Sequence, residues 1–391
     1  MDENERGTNA VLDKTPETDA SPPVAHITRP IAARYTTPPR SDAGWWGPAS
    51  PFVIPLIAFL VMGSLLGFGV GVTAMTKGGY NSASSSSSSS SSMGMANSSN
   101  TDTSNVPVAT QTTGGQPAKF VVDADGAKHF TLTAKQVMWE PIKDTPQLAW
   151  TIDGTIPGPM LRVTAGDHLR ITLINHFPQS TSLHLHGLSV PSSMDGVPGV
   201  GQKAIQPDGR FTYDFTVQDQ DAGTHWYHSH DNDLTQEPGG FYGAFIVDPR
   251  PGSPEANQVI HADVEYTDFI SEFGSYFTIN GKSYPDTQPI MLKHGQTVHL
   301  RLIGASEMSH PMHLHGGSFS IVAEDGHMLS QPLQKDTILV SPGETYDLTF
   351  YGWAAPGSVY PFHCHILSHV MNPGQTGDEM GGLLQLIEYS K

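Results

Sequence analysis

The sequence predicts an all-β chain of two β-sandwich domains, preceded by one transmembrane helix and a Ser-rich linker. Composition is the first reason: 40 Gly, 31 Pro and 37% hydrophobic residues among 391 describe turn-rich β structure with enough chain for two domains. From about Lys119, apolar residues come in short alternating runs broken by Gly, Pro, Asn and Asp, the pattern of half-buried strands. The runs also recur. "GPMLRVTAGDHLRITLIN", followed by "HLHG", is echoed by "QPIMLKHGQTVHLRLIG", again followed by "HLHG", as an internal duplication would leave it.

Residues 1–44 are polar, Pro-rich and without apolar periodicity, which predicts a disordered tail. No charged residue lies between Asp42 and Lys77, and Phe52 to Thr76 supplies the roughly 20 or more apolar residues that a helix needs to cross the hydrocarbon core. Trp45 and Trp46 suit an interface, so 45–77 is assigned to a membrane anchor. A buried core helix would show a polar face, and a cleaved leader would be shorter and nearer the start. Arg6, Lys14, Arg29, Arg34 and Arg40 precede the span and only Lys77 closely follows it. The N-terminus is therefore expected in the cytoplasm, with the later domains outside the cell membrane. Residues 78–118, with their long serine run, read as a flexible tether.

The first domain is assigned to 119–250 and the second to 251–391, joined by the short "PRPGSPEAN" connection. Met160 to Asn175 reads as two strands about a turn, and Phe211 to Val217 and Gly243 to Asp248 as single strands. In the second domain, Thr297 to Gly304 and Thr337 to Gly352 carry the same signal. A formal charge of −18 argues against a nucleic-acid partner. Cys364 is the only cysteine, so no intrachain disulfide forms and its thiol is free for chemistry.

Histidine carries that chemistry. His-x-His occurs four times, twice per domain: His184/His186, His228/His230, His313/His315 and His363/His365. Residues two apart on a strand share a face, so each pair offers two imidazoles side by side. If Phe362 to His365 is extended, Cys364 faces opposite to His363 and His365, and one residue's backbone links the thiolate to each imidazole. His369 lies four residues beyond that stretch, and His310 three residues before the His313 pair. Two His and one Cys with a distant thioether form a blue copper ligand set. Zinc competes for Cys and His, although structural zinc usually takes two or more cysteines.

Taken together, "HLHG", "GTHWYHSH", "HPMHLHG" and "HCHILSH" resemble the four copper signatures of the multicopper oxidases, in family order and over roughly Lys119 to the C-terminus. The resemblance implies cupredoxin-like Greek-key domains and four coppers per chain. It assigns His310, Cys364 and His369 to type 1 copper and His184 and His313 to type 2. One type 3 copper would take His186, His228 and His365, and the other His230, His315 and His363. It implies a laccase-like oxidation of a phenol or reduced metal ion, with dioxygen as acceptor and water as product. The position where many relatives carry an axial methionine is Gly374, so the lengthened loop makes Met380 the axial candidate, ahead of Met371. Leu367 stands where ferroxidases carry a carboxylate. Asp195 is left to assist proton delivery, or simply to form the turn before Gly196. His225 and the other remaining histidines receive no ligand role. With only two domains, the chain resembles the small, two-domain laccases, and a homotrimer with clusters between subunits is implied. Copper nitrite reductases share two domains but keep the blue-site cysteine in the first, and a non-catalytic blue-copper electron carrier needs no paired histidines.

Overall fold

A computed structural model describes residues 103–377 and 379–391. The predicted tail, the span from Phe52 to Thr76 and most of the serine tether lie outside the described residues. Among the described residues no helix is long and apolar enough to cross a membrane.

The first domain runs through β1 (Phe120–Val122), β2 (Lys128–Trp139), β3 (Gln147–Ile152), β4 (Leu161–Thr164), β5 (His168–Asn175), β6 (His184–His186), β7 (Arg210–Thr216), β8 (Gly223–His228) and β9 (Tyr242–Asp248). One sheet is ordered β1-β2-β5-β7 with β3 paired to β2, and the other β4-β9-β8-β6. The second domain continues with β10 (Val264–Phe273), β11 (Tyr276–Ile279), β12 (Ile290–Leu292), β13 (Thr297–Ala305), β14 (His310–Leu314), β15 (Phe319–Glu324), β16 (His327–Lys335), β17 (Thr337–Val340), β18 (Thr345–Tyr351), β19 (Val359–Cys364) and β20 (Leu384–Tyr389). Its sheets are ordered β11-β10-β13-β18-β15-β16 and β12-β20-β19-β14-β17. Both domains are thus sandwiches, as the alternating runs predict.

The duplication is visible in the pairing. β2 runs parallel to β5 and β4 to β9, and β10 runs parallel to β13 and β12 to β20. Alternate positions on these strands face inward, so Leu169, Ile171 and Leu173 pack in one core and Val298, Leu300 and Leu302 in the other. A third apolar cluster joins the domains, with Val137, Trp139 and Trp226 of the first against Phe269, Phe273 and Ile303 of the second. Ordered pairing starts upstream of Lys119. Within the segment read as tether, Ala109 and Pro107 exchange backbone hydrogen bonds with Met138, and Ala118 donates to Met160.

Candidate metal centre

The strand registers bring the predicted histidines together. His184 on β6 sits directly opposite His228 on β8, and His313 on β14 opposite His363 on β19. In the first domain, one ligand atom from each of His184, His186 and His228 lies within 4.8 Å of the other two. His230 joins them with its ring 5.3 Å from that of His184. In the second domain, His313, His315, His363 and His365 form a matching face, with His315 Nε2 2.9 Å from His363 Nε2. Each set of four contacts itself, and among the described residues no ring contact joins the two sets.

Neighbouring acceptors decide which ring nitrogen is free. His184 Nδ1–H donates to the Asp195 carbonyl oxygen at 2.6 Å, and His313 Nδ1–H to that of Asp336 at 3.0 Å. His228 Nδ1–H donates to the Ser229 carbonyl at 2.7 Å, with Glu237 Oε2 3.0 Å away, and His363 Nδ1–H donates to the Cys364 carbonyl at 2.8 Å. Each of the four therefore keeps the Nε2 lone pair for a metal. Burial holds His184, His315 and His363 below the usual imidazole pKa. It brings His186 down to about 3, helped by its neighbour His228. These rings are neutral near pH 7, as ligands must be.

The third set is differently built. His310, Cys364 and His369 are 0%, 0% and 7% exposed. Cys364 Sγ lies 3.8 Å from His310 Nδ1 and 3.7 Å from His369 Nδ1, and the two nitrogens are 3.1 Å apart. His310 Nε2–H is held by Ser306 Oγ at 2.8 Å and Glu272 Oε1 at 3.2 Å, which turns its Nδ1 to the sulfur. The Phe277 ring stacks on His369 with centroids 4.1 Å apart. Burial pushes the Cys364 thiol up to about 11, so a metal entering here must displace its proton. Two imidazoles and one thiolate in a small triangle fit copper by donor type, and with a single Cys they match a structural zinc site poorly.

Met380 does not share this environment. It is 54% exposed and, with Met371, lines an apolar cavity of about 310 Å³ whose other walls include His315 and His363 but none of the three buried ligands. In this structure Met380 is a cavity wall. Asp195 stands beside His184, its carboxylate 3.5 Å from Nδ1. The turn reading of this residue also has a physical basis: Gly196 is at φ +83°, and a Cβ there would meet the Leu183 carbonyl. His225 lies outside the ligand sets and bonds to the Asp221 carbonyl. Sequence reasoning gave no role to Glu272, Ser306, Glu237 or Asp336. It left Trp226 without one too, yet that ring stacks on both His186 and His228 and donates to the Gly343 carbonyl.

Two family models described as multicopper oxidase match residues 133–252 and 248–373. Among curated proteins, the chain is 31% identical over 246 residues to Laccase-15 of Oryza sativa subsp. japonica, covering 55% of this chain and 40% of that one. It is 28% identical over 268 residues to copper resistance protein A of Escherichia coli, covering 53% and 43%. The chain thus spans less than half the length of these relatives. Among solved structures, the blue copper oxidase of Nitrosomonas europaea superposes with a TM-score of 0.60 at 31% identity, covering 67% of this chain and 85% of that one. The multicopper oxidase mgLAC does so with 0.61 at 30%, covering 67% and 86%.

Proposed function

The chain belongs to the multicopper oxidase family, and we propose that it couples one-electron oxidation of a phenol or reduced metal ion to four-electron reduction of dioxygen to water. The observation that carries this reading is one chain holding both a buried two-His, one-Cys set and two four-imidazole faces. Copper, as one type 1, one type 2 and two type 3 ions, would supply the redox chemistry. The chain's own part is geometric. Cys364 lies between His363 and His365, so a single residue's backbone connects the buried set to the oxygen-reducing face. Asp195, beside His184, is assigned proton delivery to reduced oxygen.

The oxygen site is proposed to form between chains. Neither face is complete alone, and His315 and His365 stand exposed. Passing the first-domain face of one copy to the second-domain face of the next gives a head-to-tail contact, which closes as a ring of three. The stretch from Phe52 to Thr76 is proposed to anchor the assembly in the cell membrane with the oxidase domains outside.

Full-length protein, purified in detergent and loaded with copper, is expected to bind four coppers per chain, show an intense visible thiolate-to-copper band and consume dioxygen. Cys364→Ser should lose the band and turnover while keeping three coppers. One copper per chain without oxygen uptake would replace this reading with an electron carrier. Mixing a variant lacking His184 and His186 with one lacking His313 and His315 should restore activity that neither has alone. A fully active monomer would refute the shared site.

A further inference from the structure

We propose that Leu234 of one copy of this chain seats in the apolar cavity beside His315 and His363 of a second copy. The inference rests on the shared-cluster reading and gives that contact a specific anchor.

Leu234 lies on the short helix Asp233–Gln236, three residues past His230 at its start. Gln236 ties this helix to the first-domain face. It is 0% exposed; its Oε1 accepts from Thr181 Oγ1 at 2.6 Å and Ser229 Oγ at 2.8 Å, and its Nε2 donates to the Ser180 carbonyl at 2.8 Å. Ser229 separates His228 from His230, so this hydrogen bond ties the helix to the segment that carries the two imidazoles. Two residues from Gln236 is about 200° around a helix, so Leu234 is turned outward. At 82% it is the most exposed large hydrophobic side chain among the described residues.

The second-domain face has the complementary feature. The cavity beside His315 and His363 is walled by Leu367, Val370, Met371, Met380 and Leu384. Leu367 and Met380 are 69% and 54% exposed at its mouth. In the shared cluster His230 of one copy meets His315 and His363 of the next, and Leu234 follows His230 by only four residues, on the helix that starts at Asp233. Bringing the imidazoles together therefore brings the leucine to the cavity. Asp233 beside the leucine and Glu379 at the rim have like charge, so moderate salt should strengthen the contact.

The test uses full-length, copper-loaded protein in detergent. Leu234→Ser should weaken subunit association roughly 10- to 100-fold, the equilibrium equivalent of exposing one leucine. Copper should fall from four per chain toward one, while the Cys364-based visible band remains and shows that the domains are folded. Leu234→Met should restore association. If Leu234→Ser assembles and retains copper normally while the histidine-variant mixing test succeeds, the seat is wrong and the shared cluster stands. If mixing fails and the active species is a monomer, the shared-cluster reading itself falls. Normal assembly of Leu234→Ser, with turnover of an apolar reductant lost in Leu367→Lys at the exposed mouth while the visible band is kept, would give the cavity to a small molecule instead.

Discussion

The same three residues occur at the same register in both domains, with different consequences. In the first, His168 and Arg170 on β5 bond to Asp214 on β7 at 2.6 and 2.9 Å. In the second, His299 and Arg301 on β13 bond to Asp347 on β18 at the same two distances. The first triad faces solvent, with side chains 37%, 23% and 44% exposed; the second is at 1%, 9% and 2%. Burial gives the second copy partners that the first lacks. Thr224 of the first domain donates to Asp347 at 2.8 Å and also bonds Arg301, and Thr345 donates to the Thr224 carbonyl at 2.9 Å. Glu265 adds a second bridge, accepting from Arg301 and from Arg162 of the first domain. An ion pair in water is weakly favourable, whereas one held between domains must stay intact because each charge depends on the other. Duplication supplied the triad twice, and the domain junction made one copy structural.

The sharpest test of this contrast is Asp347→Ala, which removes the buried carboxylate shared by His299 and Arg301 and leaves the guanidinium only its longer carboxylate contact, with Glu265 at 3.3 Å. It should destabilise the chain by about 3–5 kcal/mol in denaturant unfolding. Next comes Thr224→Val, nearly isosteric, which removes a hydroxyl donated to a buried carboxylate and should cost about 1.5–3 kcal/mol. A smaller effect should appear in pH dependence. Burial opposes charge on His299, but the hydrogen bond to Asp347 and the Glu265 carboxylate 3.6 Å away outweigh it and raise its pKa. That contribution is complete below the ordinary value of about 6.5 and fades as pH rises through the raised folded value. Burial likewise opposes charge on Asp347, but His299 and Arg301 prevail, and the pKa is lowered. Glu265 is also held well below the usual carboxylate range, chiefly by His299. Their contribution is present above about 4 and is lost as pH falls through the lowered folded values. The junction is thus strongest between about pH 4.5 and 6.5, and His299→Gln should flatten the decline in stability above about pH 6.5. The smallest effect belongs to Asp214→Ala, expected to leave the unfolding midpoint nearly unchanged. A loss comparable with that of Asp347→Ala would break the comparison.

The clustering of the paired histidines was legible because strand geometry is local. A period of two puts both histidines of each pair on one face, and Cys364 between His363 and His365 on the other, without knowledge of the rest of the chain. The predicted strands were readable for the same reason, Met160 to Asn175 folding as β4 and β5 about Gly166. What was not legible depends on meetings across the sheets. Glu272 reaches His310 from 38 residues away and Asp336 reaches His313 from 23, and no spacing rule marks either. Nor do local patterns distinguish "HLR" at 168–170 from "HLR" at 299–301, since burial there is decided by which face meets the other domain. Met380 was chosen for its place before the closing strand, and the surface it lines, beside His315 and His363, could not be read from that place.

Thr224, Trp226 and His228 occupy alternate positions of β8 and so project to one side of it. The first two are hydrogen-bonded to the second domain, at Asp347 and Gly343. The third is an imidazole of the first-domain face. The strand therefore works as a gauge fixed at one end: its zero is set on the second domain, and the coordinate that it reports, about 13 Å farther along, is where His228 stands. Alignment of the first-domain imidazoles is thereby inherited from the second-domain framework, so slippage at the junction would register as misplacement of the His228 imidazole two residues beyond the last clamp.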